Sequence, residues 1–238
     1  MEGRRICTVF DGDDTLWITE PLYDEARSEA RRIVESSGLD GDRWEAMERR
    51  IDVENVETLG YSPERFPRSC RQAYEAYQRT CSATVDPAIS NRIERIAMSV
   101  FERPAQLMPG AEETVRTLKR AGVGLGLLTK GDLAVQRKRI ADSSLAPLFD
   151  VISIVPMKTA LEVRRIMERL ESPGCLTWVV GNSIRSDIVP ALEAGANAIW
   201  IDAHVWEYER ATEETMSTID SRVVRAHNLS DALRMICR

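Results

Sequence analysis

Ile6-Cys7-Thr8-Val9-Phe10 is a compact apolar run that stops at Asp11, the pattern of a buried parallel strand. From Pro21 to about Glu102 the texture changes to long charged segments in which apolar residues recur at helical spacing. Four amphipathic helices are predicted there, over Leu22–Ser37, Arg43–Leu59, Arg68–Cys81 and Pro87–Glu102. Gly38, Gly60 to Pro67 and Ser82 to Asp86 separate them.

Beyond a linker at Pro104–Gly110, helices alternate with short apolar strands, as in a parallel sheet with crossover helices. Helix–strand pairs are predicted at Ala111–Ala121 with Val123–Leu128, Leu133–Asp142 with Val151–Ile154, Thr159–Leu170 with Leu176–Val180, and Ile184–Ala194 with Ala198–Ile201. An acidic segment of helical composition, Glu207–Ser221, and a closing helix, Leu229–Ile236, complete the chain. The predicted fold class is α/β, a Rossmann-like parallel-sheet core with helices on both faces plus a small all-helical domain. The core comprises residues 1–16 and 104–238, and the helical domain residues 17–103.

Composition narrows the function. The 238 residues are 43% hydrophobic and 29% charged, as expected of an ordinary globular chain with a substantial core. The formal net charge of -6 argues against a nucleic-acid polymer as partner, because a phosphate backbone is gripped by summed positive charge. A small anion needs only local positive charge. Only four lysines occur, Lys119, Lys130, Lys138 and Lys158. Five scattered cysteines show no metal-ligand spacing and suit a reduced, cytoplasmic setting. Ile6–Phe10 is too short for a secretory signal, and no apolar stretch approaches a membrane span.

In open α/β sheets ligands bind outside the carboxyl ends of the strands, so the chemistry is sought there. Those ends carry Asp11-Gly12-Asp13-Asp14-Thr15, then Thr129-Lys130-Gly131-Asp132, then Lys158, then Gly181-Asn182-Ser183 with Asp187. Each has a plain reading when taken alone. An Asp-rich turn is often a helix cap, Thr129 a helix-entry residue, Lys158 a solvated side chain, and Gly181–Ser183 a turn that caps the next helix. Their order at successive strand ends is what joins them. Carboxylates, a hydroxyl and an ammonium gathered together suit attack on a phosphate ester, whose charge must be neutralised before a carboxylate can approach. Mg2+ prefers oxygen ligands of this kind.

Val9-Phe10-Asp11-Gly12-Asp13-Asp14-Thr15-Leu16 resembles the first motif of the haloacid dehalogenase (HAD) superfamily, with Asp14 where many relatives have glycine. Leu127-Leu128-Thr129 is similar to the second motif, Lys158 to the third, and Gly181-Asn182-Ser183 with Asp187 to the fourth. The resemblance implies that Asp11 is the nucleophile forming an aspartyl-phosphate and that Asp13 is the general acid/base. Thr129 and Lys158 hold the phosphoryl group, with Thr15, Lys130 and Gly131 beside them in the substrate-binding set. Asp11, the backbone carbonyl of Asp13, Asn182 and Asp187 hold Mg2+. Relatives usually carry aspartate at Asn182 and often proline at Thr159.

Other motifs are weaker. Gly122, Gly124 and Gly126 lack the third glycine of a dinucleotide fingerprint and enter a strand instead of leaving one. His204 and His227 have no G-x-S-x-G elbow to serve. An acid/base at Asp13 favours phosphoryl transfer over dehalogenation. Phosphatase is the leading expectation, with a phosphomutase, or a catalytically slow phospho-ligand-binding protein, as alternatives. The partner is a small phosphate ester of the nucleotide or sugar phosphate class, and the helical insert resembles the HAD cap. Eight of the fourteen aromatic residues fall between Trp17 and Phe101. A pair such as Tyr74 and Tyr77 suits either a helical core or stacking on a nucleobase. Arg43, Arg65, Arg68 and Arg71 suit either a second anionic group or a solvated face.

Overall fold

The computed structural model describes residues 5–82, 84–170, 174–203, 205–209 and 222–237. The chain divides into two compact units, Met1–Glu20 with Pro104–Arg238, and Pro21–Arg103. The first is an α/β unit built on a six-stranded, wholly parallel sheet. Its strands are β1 (Ile6–Phe10), β2 (Gly124–Lys130), β3 (Val151–Val155), β4 (Leu176–Gly181), β5 (Asn197–Ile201) and β6 (Val223–Ala226), in the order β3-β2-β1-β4-β5-β6. β1 is therefore central despite its distance in sequence from its neighbours. Register pairs Phe10 with Leu127 on one side and Val180 on the other, which brings three strand ends side by side.

Strand residues alternate between two apolar layers, as a period of two requires. Phe10, Leu125, Leu127, Val180 and Ile199 pack on one face with Val115 and Leu118 of α6 (Ala111–Arg120) and Ala232 of α10 (Leu229–Ile236). Cys7, Val9, Leu128, Val179 and Ala198 pack on the other with Val163 and Ile166 of α8 (Ala160–Arg169) and Ala191 of α9 (Val189–Glu193). α7 (Leu133–Ser143) starts where the Asp132 carboxylate accepts from the amides of Ala134 and Val135. The Thr159 hydroxyl caps α8 in the same way through Glu162. The expected closing helix coincides with α10. Strand β6 was not expected, being short, half-buried and at the sheet edge.

The predicted helix Ile184–Ala194 opens instead as a π-helical turn, Ile184–Ile188, before α9. The amide of Ile188 reaches back to the Ser183 carbonyl, and that of Val189 to Ile184. Pro190 has no amide to offer a tighter ladder. The expected segment Glu207–Ser221 begins with one helical turn, Glu207–Glu209. Its remainder, like His204, lies outside the described residues.

The second unit contains α1 (Glu20–Ser36), α2 (Gly41–Glu54), α3 (Val56–Leu59), α4 (Arg65–Thr80) and α5 (Pro87–Met98). Asp40 caps α2 and Asp86 caps α5, with Pro87 in its first turn. The helix expected over Arg43–Leu59 breaks at Asn55, whose side-chain amide donates to Ser69 and Gln72 of α4 at 2.9 Å each. Ala30, Ile33, Trp44, Phe66, Tyr74, Tyr77 and Ile93 form the core. Tyr74 and Tyr77 thus take the core alternative. Arg27 pairs with Glu48 at 2.8 Å and Arg65 with Asp52, both inside the unit.

The turn after β1 is fixed by Asp14, which adopts a left-handed backbone (φ 56°) and accepts the amides of Thr19 and Glu20 at 2.8 and 3.0 Å. Burial, reinforced by Glu20, pushes its carboxyl up from the ordinary range to about 7. A folded-state pKa above the unfolded one means that the native state holds the proton more tightly, so stability falls as pH rises from about 4 to about 7. Asp14→Asn removes this contribution. Between pH 5 and pH 8 the wild type is expected to lose about 1–3 kcal/mol relative to the variant in denaturant unfolding. Parallel pH profiles for the two proteins contradict it.

Candidate active site

Asp11 follows β1 directly, its amide still donating to Val180 of β4 at 2.9 Å. The ladder therefore fixes the backbone of the first candidate residue. Lys158 enters from the loop after β3 with its side chain 3% exposed, pairs with Asp11 Oδ1, and donates to Asp187 Oδ1 at 2.6 Å. Two carboxylates from different strand ends thus share one buried ammonium. Thr15 adds a hydrogen bond to Asp11 Oδ2 at 3.3 Å.

Burial of Asp11, together with repulsion from Asp187, raises its carboxyl to about 7 against the pull of Lys158. Lys158 is held above the ordinary lysine range: burial opposes its charge, but the two carboxylates more than offset that cost. Two buried acids facing one ammonium leave an excess of negative charge. Thr129, at the end of β2 and 1% exposed, has a hydroxyl without a hydrogen-bond partner among the described residues. An orphaned buried hydroxyl at a strand end is the kind of group a ligand satisfies. Gly131 extends the pairing of β2 with β3 through its amide to Val155, then turns at φ 128°.

Asp187 sits in the π-helical turn, where its Oδ2 accepts the amide of Ser183 at 3.0 Å. Asn182 is buried beside it, and its backbone carbonyl accepts from the indole of Trp200 at 3.0 Å. Lys130 Nζ donates to Ser186 at 2.7 Å and pairs with Glu209. Asp13 is gripped by donors the sequence did not advertise: Trp17 Nε1 at 2.6 Å, Thr19 at 3.2 Å, Gln136 at 2.8 Å, and Arg139 at 2.9 Å to each oxygen. Burial works to raise its carboxyl, but Arg139 and these hydrogen bonds hold it below the ordinary range. Gln136 and Arg139 lie one turn apart on α7, a spacing that puts both on one helix face. That spacing was the available signal for them; Glu209 had none.

The donors suit a hard cation. Among the described residues no three Asp, Glu, His or Cys side chains gather as a metal cage. Magnesium commonly takes one or two carboxylates and completes its shell with other oxygens. Asp11 and Asp187, brought together on Lys158, offer two such carboxylates, and the Asn182 amide and the Asp13 carbonyl are the candidates for the other oxygens.

The sequence model of the haloacid dehalogenase-like hydrolases matches residues 7–195. The chain belongs to this family. It is 23% identical over 207 residues to the glyceraldehyde 3-phosphate phosphatase of Methanothermobacter thermautotrophicus, covering 84% of this chain and 87% of that protein. A HAD-like hydrolase of Xanthomonas campestris superposes with a TM-score of 0.77 at 27% identity, over 99% of this chain and 94% of that one. The magnesium-bound HAD hydrolase YfnB of Bacillus subtilis has the same fold, with a TM-score of 0.62, 20% identity and coverage of 98% and 99%. No helix among the described residues of this HAD-like hydrolase is long and apolar enough to cross a membrane.

Gly181, the last residue of β4, leaves no room for a side chain. A Cβ there would lie 2.3 Å from Asp187 Oδ2 and 2.4 Å from its carboxyl carbon. Gly181→Ala must therefore push Asp187 off Lys158 and strand a buried charge. Unfolding free energy is expected to fall by about 2–4 kcal/mol. A loss under about 0.5 kcal/mol, the range of ordinary surface changes, contradicts the tight packing of this pair.

Proposed function

We propose that the chain is a magnesium-dependent phosphatase that hydrolyses a small phosphate monoester through an aspartyl-phosphate on Asp11. The observation that carries this reading is the buried Asp11–Lys158–Asp187 cluster, with the orphaned Thr129 hydroxyl on the neighbouring strand. Asp11 attacks phosphorus, breaking the bond to the ester oxygen. Lys158 and Thr129 hold the phosphoryl oxygens as charge redistributes. Thr15, Lys130 and Gly131 line the same strand ends. Asp13 handles the proton, giving one to the departing oxygen and taking one from the water that releases phosphate. Its grip by Arg139 favours the ionised form that the second half-reaction needs. Asp11, Asp187, Asn182 and the Asp13 carbonyl hold magnesium, which supplies the positive charge that lets a carboxylate meet a phosphate.

The helical unit Pro21–Arg103, inserted between the first and second motifs and beginning four residues later than the expected 17, is assigned the role of cap and substrate selector. Tyr74 and Tyr77 are buried in its core, which takes these two rings away from stacking on a nucleobase. The phosphatase relative, named for a triose phosphate, points the same way. A sugar or triose phosphate is therefore favoured over a nucleotide. A phosphomutase uses the same residues and remains the second reading.

Phosphate release should be measured over a panel of sugar, triose and nucleoside monophosphates, with and without Mg2+. Release from at least one sugar or triose phosphate is expected, abolished by Asp11→Asn and by removal of Mg2+. Binding without release from any member contradicts the enzyme reading, and isomerised ester without matching phosphate indicates a mutase. In kcat/KM, which reports the phosphorylation of Asp11 and not the later hydrolysis, Asp13→Asn should cost about 10²–10⁴-fold on alkyl esters and much less on p-nitrophenyl phosphate, whose leaving group needs no proton. Equal losses on both contradict the acid role.

A further inference from the structure

A second polar cluster abuts the first without belonging to any of the four motifs. Glu209, 7% exposed, pairs with Lys130 through one oxygen and accepts the hydroxyls of Ser183 at 2.8 Å and Ser186 at 2.5 Å through the other. Ser183 in turn accepts the amide of Ser186 at 3.0 Å, while the Ser183 amide holds Asp187. Arg185 lies over the ring of Tyr208 at 4.3 Å and donates to the Tyr208 carbonyl at 3.0 Å. The segment around Glu209 is thereby fastened to both sides of the π-helical turn Ile184–Ile188. A π-helical turn is rare, occurs mostly as a single turn within a longer helix, and is frequent at functional sites.

We propose that Glu209, acting through Lys130, Ser183 and Ser186, is the positioning residue that holds the Asn182–Asp187 side of the site in working geometry. Glu209 touches neither Asp11 nor Asp187 in this network; it fixes the residues that carry them. Burial works to raise its carboxyl, but Lys130 and the two hydroxyls hold it down at about 2, so Glu209 is ionised at neutral pH. Lys130 accordingly serves as a strut from the end of β2 to the Asp187 turn. The assignment rests on the reading of Asn182 and Asp187 as metal-side groups. Removal of supporting partners behind metal ligands typically costs 10–100-fold in affinity.

The test compares the full-length wild type with Glu209→Gln and with Glu209→Gln/Lys130→Met, which removes the ammonium the single change would strand. Amide hydrogen exchange and calorimetric titration with Mg2+ alone are measured on each. Exchange over residues 183–188 is expected to quicken about tenfold or more in both variants while the helical unit is unchanged. Mg2+ affinity is expected to weaken about tenfold, with the double variant no worse than the single. Unchanged exchange at 183–188, or quickened exchange with undiminished Mg2+ affinity, overturns the proposal. Should the wild type bind no Mg2+, the metal reading fails on its own, and exchange at 183–188 alone decides: quickened supports the positioning role, unchanged overturns it.

Discussion

The ammonium of Lys158 is the charge around which the site is arranged. Burial, and after it repulsion from Asp187, makes Asp11 harder to ionise and raises its carboxyl to about 7. A buried cation between them makes their ionised state tolerable. Everything upstream serves that meeting: a central β1, a β4 beside it, and a loop after β3 that returns Lys158 to the middle of the sheet. Two acids against one base still leave negative charge in excess. That imbalance suits a cation far better than it would suit a closed structural ion pair.

Around this centre the chain spends several unusual local conformations. Asp14 takes a left-handed backbone to tie down residues 19 and 20, and Gly181 lacks a side chain because Asp187 occupies the place where one would sit. The helix carrying Asp187 opens with a π-helical turn. Such departures concentrate where side chains must be aimed, and each here is supported by named partners. Asp13 illustrates the same economy, since Trp17, Gln136 and Arg139 fix its orientation and its charge together.

Much of this was legible in sequence because it follows from local rules. Apolar runs ending in Asp11, Thr129 and Gly181 announced parallel strands, and the carboxyl-end rule converted those endings into a site. Lys158 and Asp187 followed from their place after the next strands. The illegible parts depend on distant partners. Nothing local marks the break at Asn55, which exists because Ser69 and Gln72 wait on another helix. Glu209 acquires its role only by meeting Lys130, seventy-nine residues earlier. β6 is short and half-buried, so its periodicity is too weak to stand out. Tyr74 and Tyr77 were ambiguous because helical spacing says which face they share, and only packing says what covers that face.

The claim that the Lys158-bound carboxylate of Asp11 is the nucleophile is tested most directly by trapping its covalent intermediate. The protein, turning over p-nitrophenyl phosphate with Mg2+, would be acid-quenched within milliseconds and its peptides analysed by mass spectrometry. A phosphoryl group on Asp11, absent when substrate is omitted, is the result expected. Turnover with Asp11 unmodified at every quench time, or a phosphoryl group on another residue, would contradict the account.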